Sequence, residues 1–210
     1  MNIEQIREAL IKGRAPEVVS LVKQALQEGV AAPVILDEAL CRGMGIIGEK
    51  FKKNEIFVPQ VLLAARAMKQ GTDVLKPQLV AAGVKPFATA VIGTIKGDLH
   101  DIGKNLVGMM LEGAGFKVVD AGIGVAPETF VQLAREHRAQ IIGVSALLTT
   151  TMVNMRGVVE AVRAAGLTAK VIIGGAPVTQ SFCDEIKADG YSPDAASAAQ
   201  LATRLVSASV

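Results

Sequence analysis

The stretch TAVIGTIKGDLHDIGKNLVGMMLEGAG, residues 89 to 115, decides the fold. It opens as a β-branched run, TAVIGTI, and closes as a run with apolar residues at helical spacing, IGKNLVGMMLEGA, which Gly115 can stop. Between them lies a glycine-bounded loop carrying Asp98, His100 and Asp101. A strand passing at once into a helix is half of a βα unit, and the same texture recurs down the chain. FKVVDA (116–121) precedes PETFVQLAREH (127–137), a helix opened by Pro127, and IIGVSAL (141–147) precedes a helix through MVNMRGVVEAVRAAG (152–166). AKVIIGG (169–175) precedes QSFCDEIKA (180–188), and a weak fifth strand near Gly190 and Tyr191 precedes a last helix from Ala195 to Val206. Strict alternation predicts a parallel sheet covered by helices on both faces.

Five βα units in this length suit a flavodoxin-like, Rossmann-like doubly wound sheet with strand order 2-1-3-4-5, whose ligands sit outside the carboxyl ends of the strands. The loops after strands one, three and four, KGDLHD (96–101), SALLTTT (145–151) and GGAPVTQ (174–180), then share one surface. Upstream the sequence reads as helices only. Asn2 can cap the first, Pro16 opens a second that Gly29 can end, and Pro33 opens a third with Leu36, Leu40, Ile47 and Phe51 on one face. A fourth runs through VPQVLLAARAMKQGTDVLKPQL (58–79). The fold class expected is therefore α/β: an N-terminal four-helix bundle over 1–85 and a C-terminal five-stranded parallel sheet over 86–210, joined by LVAAGVKPF (79–87).

Composition narrows the function classes. The net charge of +2 arises from scattered charges of both signs, and Trp is absent with aromatics at 3%. Neither fits a nucleic-acid surface, which needs clustered cations and stacking platforms. Cys41 and Cys183 form no C-x-x-C pair, and no apolar run approaches the roughly 20 residues a membrane helix requires. The expectation is a soluble, cytoplasmic protein with no nucleic-acid or membrane partner.

The loops carry the chemistry. Asp98 and His100 are two residues apart, so the carboxylate can bind one imidazole nitrogen while the other points outward, the arrangement that fixes the tautomer of a metal-bound histidine. Asp101 is placed to cap the following helix, and Gly103 lets that helix approach something bulky. The bland alternative is a polar loop with His100 merely exposed. Ser145 and Thr149 to Thr151 supply hydroxyls at a strand end, and Gly174 and Gly175 clear the sheet edge for a flat or extended ligand. No phosphate-binding G-x-G-x-x-G or P-loop follows the first strand. The only other histidine, His137, lies at a helix end, so a three-ligand zinc site is not available. One histidine can supply a single axial ligand to a metal already held by a macrocycle.

Taken together, Asp98-x-His100-x-x-Gly103, Ser145-x-Leu147 and Gly174-Gly175 resemble the D-x-H-x-x-G, S-x-L, G-G signature of cobalamin-binding domains. GDLHDIGKN (97–105) is especially similar to the methionine synthase branch, and GMGIIGEKFKKNEIFVPQVLLAARAMKQG (43–71) looks like the helical cap of that module and of the small corrinoid proteins of methyltransferase systems. The resemblance covers nearly the whole chain. It implies cobalamin or a related corrinoid as cofactor, with His100 coordinating cobalt from the lower face, Asp98 holding His100, and Thr151 standing where methionine synthase has a serine bonded to that aspartate. By the same resemblance Gly97, Asp98, Leu99, His100, Asp101 and Thr149 contact the corrin or its side chains, with Gly103 a further cofactor-binding position of the motif. The cofactor's tail passes Ser145, Leu147, Gly174, Gly175 and Ala195, while Phe51, Val58 and Asp37 of the cap face the upper side.

The function the resemblance implies is a methyl carrier. Cobalt(I) would accept a methyl group from a substrate-specific methyltransferase, and methyl-cobalt(III) would deliver it to a second methyltransferase acting on a folate or thiol, with a reductive activator as a further partner. Such a protein would not turn over alone. Two other readings remain, a cobalamin-dependent sensor and the small subunit of a cobalamin-dependent mutase; the sensors typically carry a bundle Trp, and the mutase subunits lack this cap.

Overall fold

The computed structural model describes residues 3–208, so the expected cap at Asn2 lies outside the described residues. The chain divides into two compact units, Met1–Pro86 and Phe87–Val210.

The first unit is helical: α1 (Ile3–Ile11), α2 (Ala15–Gln27), α3 (Ala32–Val34), α4 (Arg42–Lys52) and α5 (Val58–Ala81). A π-helical segment, Ile35–Cys41, joins α3 to α4 without a break, so four rods form the bundle. Proline sits in the first turn of α2, α3 and α5, where its missing N–H costs nothing. Ile6, Leu10, Val18, Val22, Leu40, Ile47, Val61 and Leu75 fill the core. Gly71 lets α2 approach α5, since a Cβ there would lie 3.0 Å from Val18 Cγ1. One expectation needs correction: Ile35, not Leu36, faces the core, because the π segment adds a residue to the turn and shifts everything before it by one.

The second unit begins at Phe87, whose N–H donates to the Gly115 carbonyl and whose ring packs edge-on against Phe116. The expected connector is shorter than its sequence suggests, because α5 continues to Ala81 and Phe87 is already tied to the sheet domain. The strands are β1 (Thr89–Thr94), β2 (Lys117–Asp120), β3 (Ile141–Ser145), β4 (Lys170–Gly174) and β5 (Gly190–Ser192), all parallel in the order β2-β1-β3-β4-β5. The helices are α6 (Ile102–Gly113), α7 (Pro127–Glu136), α8 (Thr149–Met152), α9 (Met155–Ala164), α10 (Gln180–Ile186) and α11 (Ala195–Ser207). Val91, Ile142, Val144, Val171 and Ile173 pack with α7, α9 and α10, and the alternate residues of the same strands turn toward α6 and α11.

Register decides where the loops start. Thr94 pairs with Ser145, Ser145 with Gly174 and Gly174 with Ser192, so four strand ends form one row across the carboxyl edge. The helix expected after β3 is broken at Val153 and Asn154, because its first turn is tied to the β1 loop: Thr151 Oγ1 bonds Asp98 and Asn154 Nδ2 bonds the Lys96 carbonyl. Among the described residues no helix is long and apolar enough to cross a membrane.

Candidate functional site

The centre of the carboxyl edge is Asp98, which has no solvent exposure. Its Oδ1 accepts the His100 ring Nδ1 at 2.6 Å and the His100 amide at 3.1 Å. Its Oδ2 accepts the Leu147 and Leu148 amides at 2.8 and 3.2 Å and the Thr151 hydroxyl at 2.7 Å. Burial by itself would raise this carboxyl's pKa. The bonds from Thr151, from the His100 ring and from the Leu147 and His100 amides outweigh it, and hold the group well below the usual carboxylate range. Asp98 is therefore an anion that joins the β1 loop to the β3 loop.

The ionised carboxylate accepts from the Nδ1 side of His100, and in the neutral ring that arrangement leaves the lone pair on Nε2. The ring is 52% exposed, so that lone pair is accessible. The loop around it is stiff. Thr94, fully buried at the end of β1, donates to the His100 carbonyl at 2.8 Å, the Asp98 amide bonds Ile95 O, and Gly124 N–H bonds Asp98 O. Gly97 supplies the turn at φ +88°.

The loops that meet at Asp98 carry a shelf of exposed apolar side chains. Leu99 and Ile102 are 72% and 71% exposed, and Leu147, Leu148 and Ile123 are also exposed, each within two residues of a group bonded to Asp98 or His100. Solvent-exposed leucines and isoleucines clustered about one histidine mark a binding surface.

Beside the shelf a groove runs down the α6 and α11 face of the sheet. Ser145, Gly174, Gly175, Gly103 and Ala195 line it, together with Gly143 and Ile172 deeper in. Gly175 has φ +125°, and a Cβ there would lie 1.8 Å from the Ala146 carbonyl oxygen, so only glycine fits where β4 leaves the sheet.

The structure thus gathers Gly97, Asp98, Leu99, His100, Ser145, Leu147, Gly174, Gly175 and Thr151 at one edge, with Gly103 and Ala195 on the groove. Thr149 is exposed at the start of α8. Asp101 departs from expectation: it occupies the N-cap position of α6 but its carboxylate caps no amide, accepting instead from Asn105 Nδ2 at 3.2 Å. In the helical unit Asp37 is exposed, while Phe51 and Val58 are half-buried. Sequence reasoning missed Thr94, Gly143, Val107 and Ser192. A signal for Gly143 existed, since a glycine inside an apolar strand often marks close approach of something else.

Among the described residues there is no cluster of three or more His, Cys, Asp or Glu that could hold a metal ion. A metal at His100 has to arrive with its other ligands, as a metallated macrocycle does. The exposed Nε2, the apolar shelf and the glycine-rimmed groove fit a corrin ring with an appended tail.

One prediction follows from the Asp98 bonds. A carboxyl held below its unfolded value, about 3.9, contributes stability that is complete above that value and is lost as pH falls toward the folded one. Urea unfolding of the protein and of Asp98→Asn should give a stability difference that is constant from neutrality to mildly acid pH and shrinks below about pH 4. A difference independent of pH would contradict the ionised Asp98.

Comparison with known proteins identifies the family. Residues 88–200 and residues 2–76 each match a family model described as a B12 binding domain. The chain is 37% identical over 209 residues to a corrinoid protein of Desulfitobacterium hafniense, covering 97% of each chain. It is 44% identical over 179 residues to trimethylamine corrinoid protein 1 of Methanosarcina acetivorans, covering 83% of each. A chain in the crystal structure of the methanol:cobalamin methyltransferase complex MtaBC from Methanosarcina barkeri superimposes with a TM-score of 0.87 at 30% identity, over 98% of this chain and 79% of that one. The chain belongs to the B12-binding family of corrinoid proteins, and its cofactor is cobalamin or a related corrinoid.

Proposed function

We propose that this protein carries a methyl group on its corrinoid, receiving it from a substrate-specific methyltransferase and handing it to a second methyltransferase whose acceptor is a folate or a thiol. The observation that carries the reading is the Asp98-bonded His100 with a free Nε2 beside an apolar shelf. The relatives support it, several being named for trimethylamine or dimethylamine and one structural neighbour for a methanol methyltransferase complex. When bound, the cofactor supplies a cobalt centre that is strongly nucleophilic in its reduced state and can accept and release a methyl group.

This chain's own residues do the rest. His100 Nε2 is the proposed lower ligand, and Asp98 keeps the Nδ1 proton in place, so the ring is a better donor when it ligates. An Nε2 that is not coordinating could take up a proton, and the Asp98 carboxylate bonded at Nδ1 would stabilise the imidazolium. Thr151 and the Leu147 and Leu148 amides hold that carboxylate still. Ser145, Leu147, Gly174, Gly175 and Ala195 are proposed to lie along the path of the cofactor's tail, and Gly97, Leu99, Asp101 and Thr149 to meet the corrin, with Gly103 making room for it. Phe51 and Val58 would cover the corrin and Asp37 would reach it, as further proposed contacts. Residues 82–86, in neither helix nor strand, are the proposed hinge for exchange of partners. A reductive activator is the further partner proposed, to return cobalt to its nucleophilic state.

The test is to load the protein with corrinoid, reduce it, and add methylamine or methanol with the matching methyltransferase. Conversion of the absorption spectrum to the methylated form, reversed by the acceptor methyltransferase, is expected. A loaded, reduced protein that no such donor system methylates would contradict the proposal. A bulky side chain in the groove provides a narrower check. Gly143 faces it, and a Cβ there would already lie 3.2 Å from Ile92 Cγ2. Gly143→Val should therefore weaken corrinoid binding by at least roughly tenfold while costing the apoprotein about 1–3 kcal/mol. Unchanged affinity would place the tail elsewhere.

A further inference from the structure

The helical unit contains an irregularity that the function described above leaves unused. Over Ile35–Cys41 the backbone is π-helical, and the Arg42 amide bonds the Asp37 and Ala39 carbonyls, passing over the Glu38 carbonyl that an α-helix would offer it. The Glu38 oxygen instead accepts two bonds from the Arg7 guanidinium on α1, from Nε at 3.0 Å and Nη2 at 2.6 Å. Nη1 of the same side chain bonds Glu4 Oε2 at 2.6 Å, and its stem passes over Gly43, where a Cβ would lie 3.4 Å from Arg7 Cγ. Arg7 is mostly buried, with 18% of its side chain exposed.

The consequence is rotational. Counting about 100° per residue from Ile47, the middle of the buried face, an unbroken α-helix would set Leu36 about 20° and Asp37 about 80° from that middle. Asp37 would then stand between Met44 and Gly48, both of which are buried. A π turn adds one residue, so each earlier residue takes its successor's place. Ile35 moves to the middle and Asp37 to the opposite side, in line with a fully buried Ile35, a half-buried Leu36 and an exposed Asp37.

We propose that Arg7 is a positioning residue: its two-pronged hold on the Glu38 carbonyl locks the π register and keeps the Asp37 carboxylate outside the bundle, where the corrinoid can use it. Without the guanidinium, the Glu38 carbonyl loses both of these bonds, and a return to α register would offer it the Arg42 amide in their place. The functional half rests on the reading of Asp37 as a corrin contact, and the register half does not.

The test uses the full chain with Cys41 and Cys183 replaced by serine, and a single thiol introduced as Ile35→Cys or as Asp37→Cys. Maleimide labelling rates are compared with and without Arg7→Met. Because labelling follows exposure, the Asp37→Cys thiol should slow and the Ile35→Cys thiol should quicken, each by at least about tenfold, and Arg7→Lys should fall between. A loosened bundle quickens both, so a parallel rise, or no change in either, overturns the register claim. A measurement on the unaltered protein covers the case in which Arg7→Met does not fold. The Arg7 Nε–H should exchange slowly and show scalar coupling across the hydrogen bond to the Glu38 carbonyl carbon, and a freely exchanging Nε–H overturns the claim. Asp37→Ala with Arg7 intact addresses the other half: weaker corrinoid binding supports it, and unchanged binding removes the cofactor role while leaving the register to the labelling result.

Discussion

Asp98→Ala is expected to destabilise the sheet domain by about 4 kcal/mol and to abolish nitrogen ligation of the bound corrinoid. The size comes from what is left behind. Three backbone amides, of His100, Leu147 and Leu148, lose the carboxylate that accepts their bonds, whereas the Thr151 hydroxyl can still reach the Leu148 carbonyl at 3.0 Å. Asp98→Asn separates stability from ligation. With its oxygen toward the amides, the carboxamide presents N–H₂ to His100, so Nδ1 must accept, the ring proton moves to Nε2, and the lone pair needed for a metal disappears. Turned the other way, it sets its own N–H₂ against two amides. Asp98→Asn should therefore fold, at a cost of about 1–3 kcal/mol, yet bind corrinoid without a histidine ligand. Chemical denaturation and the cobalt(II) spectrum of each variant check the two claims separately. A histidine-ligated Asp98→Asn protein would show that Asp98 does not set the tautomer.

Gly175→Ala is the second large effect, and its origin is steric rather than electrostatic. The added methyl would sit 1.8 Å from Ala146 O and 2.9 Å from Ala146 C, backbone atoms at the end of β3 that cannot swing away as a side chain could. The residue's φ of +125° is also one that alanine avoids. The Ala146 amide bonds the Gly174 carbonyl at 3.2 Å, so separating the two segments breaks the row on which Ser145 and Gly174 are aligned. A loss of at least about 4 kcal/mol, or failure to fold, is expected. By comparison Gly103→Ala, where an added Cβ meets nothing within 4 Å, should leave the apoprotein's melting temperature nearly unchanged. Equal melting temperatures for the Gly175→Ala variant and the parent would contradict the close approach.

Much of this arrangement was legible in the sequence because it depends on patterns with a local physical cause. Alternating β-branched and helical runs leave few topologies open, and the order 2-1-3-4-5 brings the loops of Asp98, Ser145 and Gly174 to one edge. The two-residue spacing of Asp98 and His100 likewise foretold a hydrogen bond that the structure contains. What escaped notice depends on partners distant in sequence. The π turn at Ile35–Cys41 goes with a guanidinium 31 residues away, so local periodicity pointed to Leu36 as the core residue. The break before α9 follows from Asn154 and Thr151 reaching back to the β1 loop, with separations of 58 and 53 residues. Asp101 has the right position for a cap, but its carboxylate bonds Asn105, one turn along the helix. Gly143 looked like an ordinary strand residue until α6 and α11 left a groove above it.

The most direct test of the central claim is electron paramagnetic resonance of the cobalt(II) corrinoid bound to protein grown with ¹⁴N- or ¹⁵N-histidine. The account predicts a nitrogen splitting that changes with the histidine isotope, disappears in His100→Ala and survives in His137→Ala. A splitting that ignores the isotope, or that persists in His100→Ala, would show that His100 is not the lower ligand.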